Sequence, residues 1–330
     1  MASPRLVFIF IILAYVFGIS VSSDFTNCKK LVLPLGVTGP ESATFIGHLV
    51  NGLFTPVTDG RIMRWKGHTV GFVDFAYTSP KRTKKLCDNT TNLDLGPICG
   101  RPIALSFNPY TGLLYIADAY RGLLVVGLSG GLANQLVGGL KFAGGLDVDL
   151  LTGDVYFSDA SLTFNLINTT QIGFKPDSTG RLLRYNPRTG HVSVLLSGVS
   201  GGGGPAVSSD GTFVLVPEFL GKRILKYWLV GPKANTAEVL LNVVGNPNQI
   251  KRAGKLGEFW VAVSVGYVPL MPLIKPQGVR FNSNGVVLQT ISFAREFFNR
   301  SISLVQEQDG KLYVGSRSTN FIGVYCKTSV

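Results

Sequence analysis

The sequence predicts an all-β fold, a six-bladed β-propeller, and three observations carry that reading. Short apolar runs are separated by turn residues along the whole chain, with 40 Gly and 17 Pro scattered among them. One turn-plus-strand pattern recurs six times. No long stretch with helical periodicity follows residue 24, which removes the α/β folds. Hydrophobic residues make up 45% of the 330 and charged residues 15%, a balance that excludes disorder.

The recurring pattern is a turn residue, a Gly, then apolar and aromatic residues in strand order. It reads Asn51-Gly52-Leu53-Phe54, Thr111-Gly112-Leu113-Leu114-Tyr115 and Thr152-Gly153-Asp154-Val155-Tyr156. It returns as Asp210-Gly211-Thr212-Phe213-Val214, Leu256-Gly257-Glu258-Phe259-Trp260 and Asp309-Gly310-Lys311-Leu312-Tyr313. The spacing of about forty to about sixty residues suits a four-stranded blade with variable loops. Gly tolerates positive φ and reverses the chain. The strand after it is apolar on both faces, because a blade packs on both sides. A more amphipathic strand follows, as in Gly180-Arg181-Leu182-Leu183-Arg184-Tyr185.

The N-terminus reads as a signal peptide over residues 1–23, with the propeller over 24–330. Arg5 supplies the positive region, Leu6 to Gly18 the apolar run, and Val21-Ser22-Ser23 a small-residue cleavage site. The run is short for a membrane span, the alternative being an uncleaved anchor. Val261 to Ile274 is apolar, but Pro269 and Pro272 interrupt it, so no transmembrane segment is expected in the mature chain. The secretory route is therefore expected, ending in the vacuole, the endoplasmic reticulum or outside the cell.

Four cysteines fit that route. Cys87 and Cys99 flank a polar loop and are expected to be bonded. A closed propeller brings its ends together, so Cys28 and Cys326 are either a second bridge or unpaired. Sequons at Asn89, Asn168 and Asn299 are glycan acceptors if exposed. The formal charge is +12, yet apart from Lys81-Arg82-Thr83-Lys84-Lys85 the basic residues are dispersed. That distribution reads as a surface soluble in an acidic lumen, and nucleic acid is not an expected partner.

Several stretches resemble the plant strictosidine synthase-like family. They include Asp59-Gly60-Arg61-Ile62, Cys99-Gly100-Arg101-Pro102 and Leu114-Tyr115-Ile116-Ala117-Asp118-Ala119-Tyr120. The most specific block is Phe213 to Glu238, with Val216-Pro217-Glu218-Phe219-Leu220 and Lys226-Tyr227-Trp228-Leu229-Val230-Gly231-Pro232-Lys233. The resemblance implies a six-bladed propeller, and its Cys pair matches Cys87 and Cys99. The synthase joins tryptamine to the aldehyde of secologanin in a Pictet–Spengler condensation. A buried carboxylate serves that chemistry, because burial brings its pKa towards the working pH. In this chain the catalytic glutamate falls on Ser303. One sugar-side histidine falls on Ser301 and the other near Met271. The indole-side aromatic pair falls on Phe142 and Gly144, and Phe219 keeps a pocket aromatic. Glu296 is the carboxylate that a shifted register would bring in. Strictosidine synthase activity is therefore not expected.

The family also resembles calcium-dependent propeller lactonases and esterases, whose metal needs several oxygen ligands. Glu41, Asp147, Asp149, Asp159 and Glu218 are the oxygen donors available for such a site. However, two amide ligands of those relatives read Gly144-Gly145 and Gly201 to Gly204 here. Calcium is the one cofactor raised, and structural carboxylates are the favoured reading. Gly201 to Gly204 lacks the Lys-Ser/Thr and the helix of a phosphate loop, and reads as a flexible inter-strand loop. A Ser-His-Asp triad is disfavoured because the chain has 3 His, of which His191 follows a turn and reads as surface. Tyr267 to Ile274 is read as a greasy lid over an apolar pocket with Phe142 and Phe219, or as a Pro-stiffened loop packed on a blade. Asn299 on an extended strand would share a face with Ser301 and Ser303, so that face cannot serve both a glycan and a pocket.

The expected pocket therefore comprises Phe142, Gly144, Gly201, Phe219, Met271, Ser301 and Ser303. The sequence predicts a propeller that binds or acts on a small, largely apolar metabolite. The alternatives are a metal-dependent esterase or lactonase of the same fold, and a non-catalytic ligand- or protein-binding propeller.

Overall fold

The computed structural model describes residues 25–47, 52–171, 176–266 and 273–328. Six sheets follow one another along the chain, antiparallel except where Ala76 and Tyr77 pair parallel with Gly131 and Leu132, and together they form a six-bladed propeller. Each of the six Gly turns introduces the second strand of one blade: Leu53–Pro56, Leu113–Asp118, Val155–Asp159, Phe213–Glu218, Glu258–Val265 and Lys311–Gly315. Gly112, Gly153, Gly211, Gly257 and Gly310 all adopt positive φ. The second strands of blades three and four, Val155–Asp159 and Phe213–Glu218, are buried along their whole length. The outermost strand of blade four, Ala237–Asn242, is largely exposed.

The core lies between blades. Trp260, Ala262 and Ile291 of blade five meet Val305, Leu312 and Val314 of blade six, with Phe25 and Tyr325 closing the cluster. Blades two and three meet in the same way through Tyr115, Ala117, Leu146 and Phe157. Burial of such apolar area is the main stabilising term.

Blade six takes its outer strand from the other end of the chain. Phe25–Val32 pairs antiparallel with Phe321–Lys327 and closes the ring. The Cys28–Cys326 disulfide lies across this seam, with Cα atoms 5.7 Å apart. Cys87–Cys99 pins the short helical insertion between blades one and two, Cα atoms 5.5 Å apart. Both cysteine pairs are thus bridged.

Two local expectations are corrected. Gly201 to Gly204 is not a flexible loop: it is half-buried to buried and hydrogen-bonded. Gly203 N–H donates to Pro217 O at 3.0 Å, and Gly204 O accepts from Ile250 N–H at 2.9 Å. Asn299 is not on an extended strand. It sits exposed in a turn at φ 53°, and the inner strand of blade six starts only at Leu304. Asn299 and the residues near Ser303 therefore do not compete for one face.

The proposed leader lies outside the described residues, as do Met271 and most of the Tyr267 to Ile274 loop. No helix among the described residues is long and apolar enough to cross a membrane.

Candidate functional site

A cavity of about 120 Å³ opens at one end of the propeller axis. Phe142, Gly144, Gly201, Phe219, Ser301 and Ser303 all line it. Its walls are mainly apolar, with Ile103, Phe164 and Leu166 beside the two named rings. Sequence reasoning missed Phe164, Asp177, Asn248 and Arg317, which also line it. Asn248 reaches the cavity through a register shift between Pro247 and Ile250 in the inner strand of blade five, and no periodic signal reports such a bulge.

One device repeated on three blades positions the walls. The carboxylate that ends the second strand accepts a backbone N–H from the start of the same blade. Asp118 accepts from Arg101 N–H at 2.7 Å, Asp159 from Phe142 N–H at 3.1 Å, and Glu218 from Ser200 N–H at 2.8 Å. Asp159 also pairs with Arg181 Nη2 at 2.7 Å, and Glu218 pairs with Arg223 Nε. The Ser200 N–H bond to Glu218 holds the Ser200-Gly201 turn, whose Gly201 O then accepts from Phe219 N–H at 3.0 Å. Phe142 and Phe219 are thereby fixed through their backbones. Burial pushes the Asp118 carboxyl above the usual carboxylate range, opposed by its hydrogen bonds from the backbone N–H groups of Tyr120, Arg101 and Arg121.

Gly144 and Gly145 are where blades three and four touch backbone to backbone. A Cβ on Gly144 would stand 2.1 Å from Gly202 O, and one on Gly145 would stand 2.4 Å from Gly204 Cα. Close approach explains these glycines, since any side chain would have to displace main chain.

Ser303 is fixed by its N–H to Gly315 O at 2.9 Å. Its buried Oγ has no hydrogen-bond partner among the described residues. Two carboxylates line the cavity. Glu41 is buried and paired with Arg101 Nη2, with Arg317 Nε 3.7 Å from its second oxygen. Asp177 accepts both the N–H and the hydroxyl of Thr179, at 2.9 and 2.7 Å. Glu296 does not line the cavity; it accepts from Tyr325 Oη at 2.8 Å in the packing around Phe293 and Phe297. His191 and His68 are exposed, and no described histidine lines the cavity.

The acidic residues do not fit a calcium cage, which needs about six to eight oxygen ligands. Asp159, Glu218 and Glu41 are held as above. Asp147 takes Arg252 Nη1 at 2.8 Å, and Asp149 takes Thr152 Oγ1 at 2.7 Å. Among the described residues, no three His, Cys, Asp or Glu side chains come together as a metal site.

These features define a class: a six-bladed β-propeller with a largely apolar, ring-walled cavity at one end of its axis. Residues 144–232 match the family model described as strictosidine synthase. Protein STRICTOSIDINE SYNTHASE-LIKE 12 of Arabidopsis thaliana is 42% identical, covering 92% of this chain and 91% of its own. Strictosidine synthase of Catharanthus roseus is 36% identical, covering 90% and 86%. The chain belongs to the strictosidine synthase-like family. Among solved structures, a gluconolactonase from Xanthomonas campestris superposes with TM-score 0.59 at 16% identity, over 88% of this chain and 86% of that one. A luciferin-regenerating enzyme gives 0.57 at 13% identity, over 90% and 94%. At such identities the likeness is one of fold.

Proposed function

We propose that the axial cavity receives a small, largely apolar metabolite, and that the protein binds or transforms it without the Pictet–Spengler step. The observation that carries this reading is Ser303. A hydroxyl stands where the resemblance places the condensing glutamate, and its Oγ has no partner among the described residues. A serine hydroxyl cannot take the proton that leaves the ring after closure, as a carboxylate of raised pKa can. Glu41 is no substitute, because its oxygens face two guanidinium groups. The apolar walls set the ligand class, and Ser303 and Asn248 offer it one or two polar contacts.

Titration calorimetry with single-ring and indole compounds tests the reading. We expect binding that Phe219→Ala weakens about tenfold, the equivalent of ~1.4 kcal/mol. Absence of binding across such a panel, or an unchanged affinity in Phe219→Ala, would overturn it.

The same reading includes passage through the secretory route to the vacuole, the reticulum or the cell exterior. Two disulfides support it. The sequon residues Asn89 and Asn299 are exposed, whereas Asn168 is half-buried on a short helix and bonded to Asn165. Glycosidase treatment of the native protein should shift its mass through the first two sites.

A further inference from the structure

We propose that a second cavity, at the opposite end of the axis, binds a small organic carboxylate anchored by Lys251. The inner strands run from one cavity to the other. Blade two passes from Ile103 to Ser106, blade three from Gly144 to Asp147, and blade five from Asn248 to Lys251. Between the two cavities the axis is blocked by Gln249, which is 2% exposed. Its Nε2 donates to Glu41 O at 3.0 Å and Ile103 O at 3.1 Å, and its Oε1 accepts from Ser42 Oγ at 3.0 Å. The two cavities are therefore separate sites.

The second cavity is the larger, about 270 Å³ against about 120 Å³. Among the described residues, Asp147, Lys251 and Arg252 are its charged lining groups. Asp147 is saturated: it accepts from Ser106 Oγ, Val207 N–H and both terminal nitrogens of Arg252, at 2.8 to 3.3 Å. Arg252 in turn donates to Asp147 and to Val207 O. That pair cancels, leaving Lys251 as the uncompensated charge. Lys251 is 6% exposed, and its Nζ makes one hydrogen bond, to Leu105 O at 3.2 Å. An ammonium carries three donors. Two are left without a protein acceptor among the described residues, in a site where an unpaired charge is costly. An anion in the cavity would supply both acceptors and the missing charge. Burial already pushes the Lys251 amine down to about 8, with Asp147 opposing and Arg252 adding to the shift. The Phe45, Phe107 and Leu150 walls favour an organic acid over an inorganic ion.

The test is site-resolved reductive methylation of the full-length protein, read by mass spectrometry, with benzoate as the probe. We expect Lys251 to be labelled in the free protein and protected at least tenfold by saturating benzoate. Exposed Lys81 and Lys85 should be unaffected. Benzamide, the neutral isostere, and inorganic phosphate should protect much less. Calorimetry should show at least a tenfold loss of benzoate affinity in Lys251→Met. Three results would overturn the proposal: no labelling of Lys251 in the free protein, equal labelling with and without benzoate, or equal protection by benzamide. Phosphate protecting better than benzoate would remove the organic part of the claim.

Discussion

Glu41 and Lys251 are buried charges on one axis, and their surroundings treat them oppositely. Glu41 is matched by Arg101 and Arg317, so removing its charge strands a buried guanidinium. We expect Glu41→Gln to cost about 3–5 kcal/mol in urea unfolding, the usual penalty for breaking a buried pair. Lys251 has no such partner among the described residues. Its amine titrates near about 8 in the folded protein and near about 10.4 in the unfolded chain. Between those values the unfolded chain holds a proton that the folded one lacks, so wild-type stability rises with pH across that window. At pH 7 both forms are charged, and the full burial cost applies, about 3 kcal/mol. Lys251→Met escapes that cost. Its stability advantage over wild type should therefore shrink as pH climbs from 8 to 10, measured by denaturant unfolding of both proteins. An advantage constant with pH would mean that the amine is not displaced.

At the scale of strands and loops, the glycines divide into two kinds. Five of the six before the second strands occupy positive φ, Gly52 being the exception, and their period made the blades readable from the chain alone. Gly144, Gly145 and Gly202 to Gly204 serve instead as contact points between blades. Their role was hidden, because it depends on which backbones meet. Gly144→Ala should destabilise by about 1–3 kcal/mol, since the obstacle is a main-chain carbonyl; chemical denaturation reads this directly. Gly190→Ala, with nothing near its Cβ but a positive φ of 72°, serves as a backbone-strain comparison. The same distinction explains what could be read of the cavity. Phe142, Phe219, Ser301 and Ser303 were found through ordered motifs. Asn248 and Arg317 were not, because a bulge and a loop deliver them. Asp159 and Glu218 looked like metal ligands by residue type. Only the fold shows them repeating one backbone-anchoring role on successive blades.

For the molecule as a whole, closure of the ring is the weak point of a propeller, and here it rests on one seam. The strand Phe25–Val32 completes blade six, and the Cys28–Cys326 bridge joins residues 298 apart in sequence. A bridge over so long a loop restricts the unfolded chain strongly. Replacing both cysteines by serine should cost about 2–5 kcal/mol and lower the midpoint of thermal unfolding. Loss of Cys87–Cys99 should cost less, because it closes a loop of 12 residues over an insertion. The closed ring also keeps the two ends of the axis apart, which lets one scaffold carry an apolar cavity at one end and a cationic one at the other. Incubation of the purified protein with tryptamine and secologanin, followed by mass-spectrometric detection of the condensed product, probes the apolar end most directly. With serine at position 303, product should form no faster than in buffer; turnover well above that background would show that some other group on the axis carries the proton.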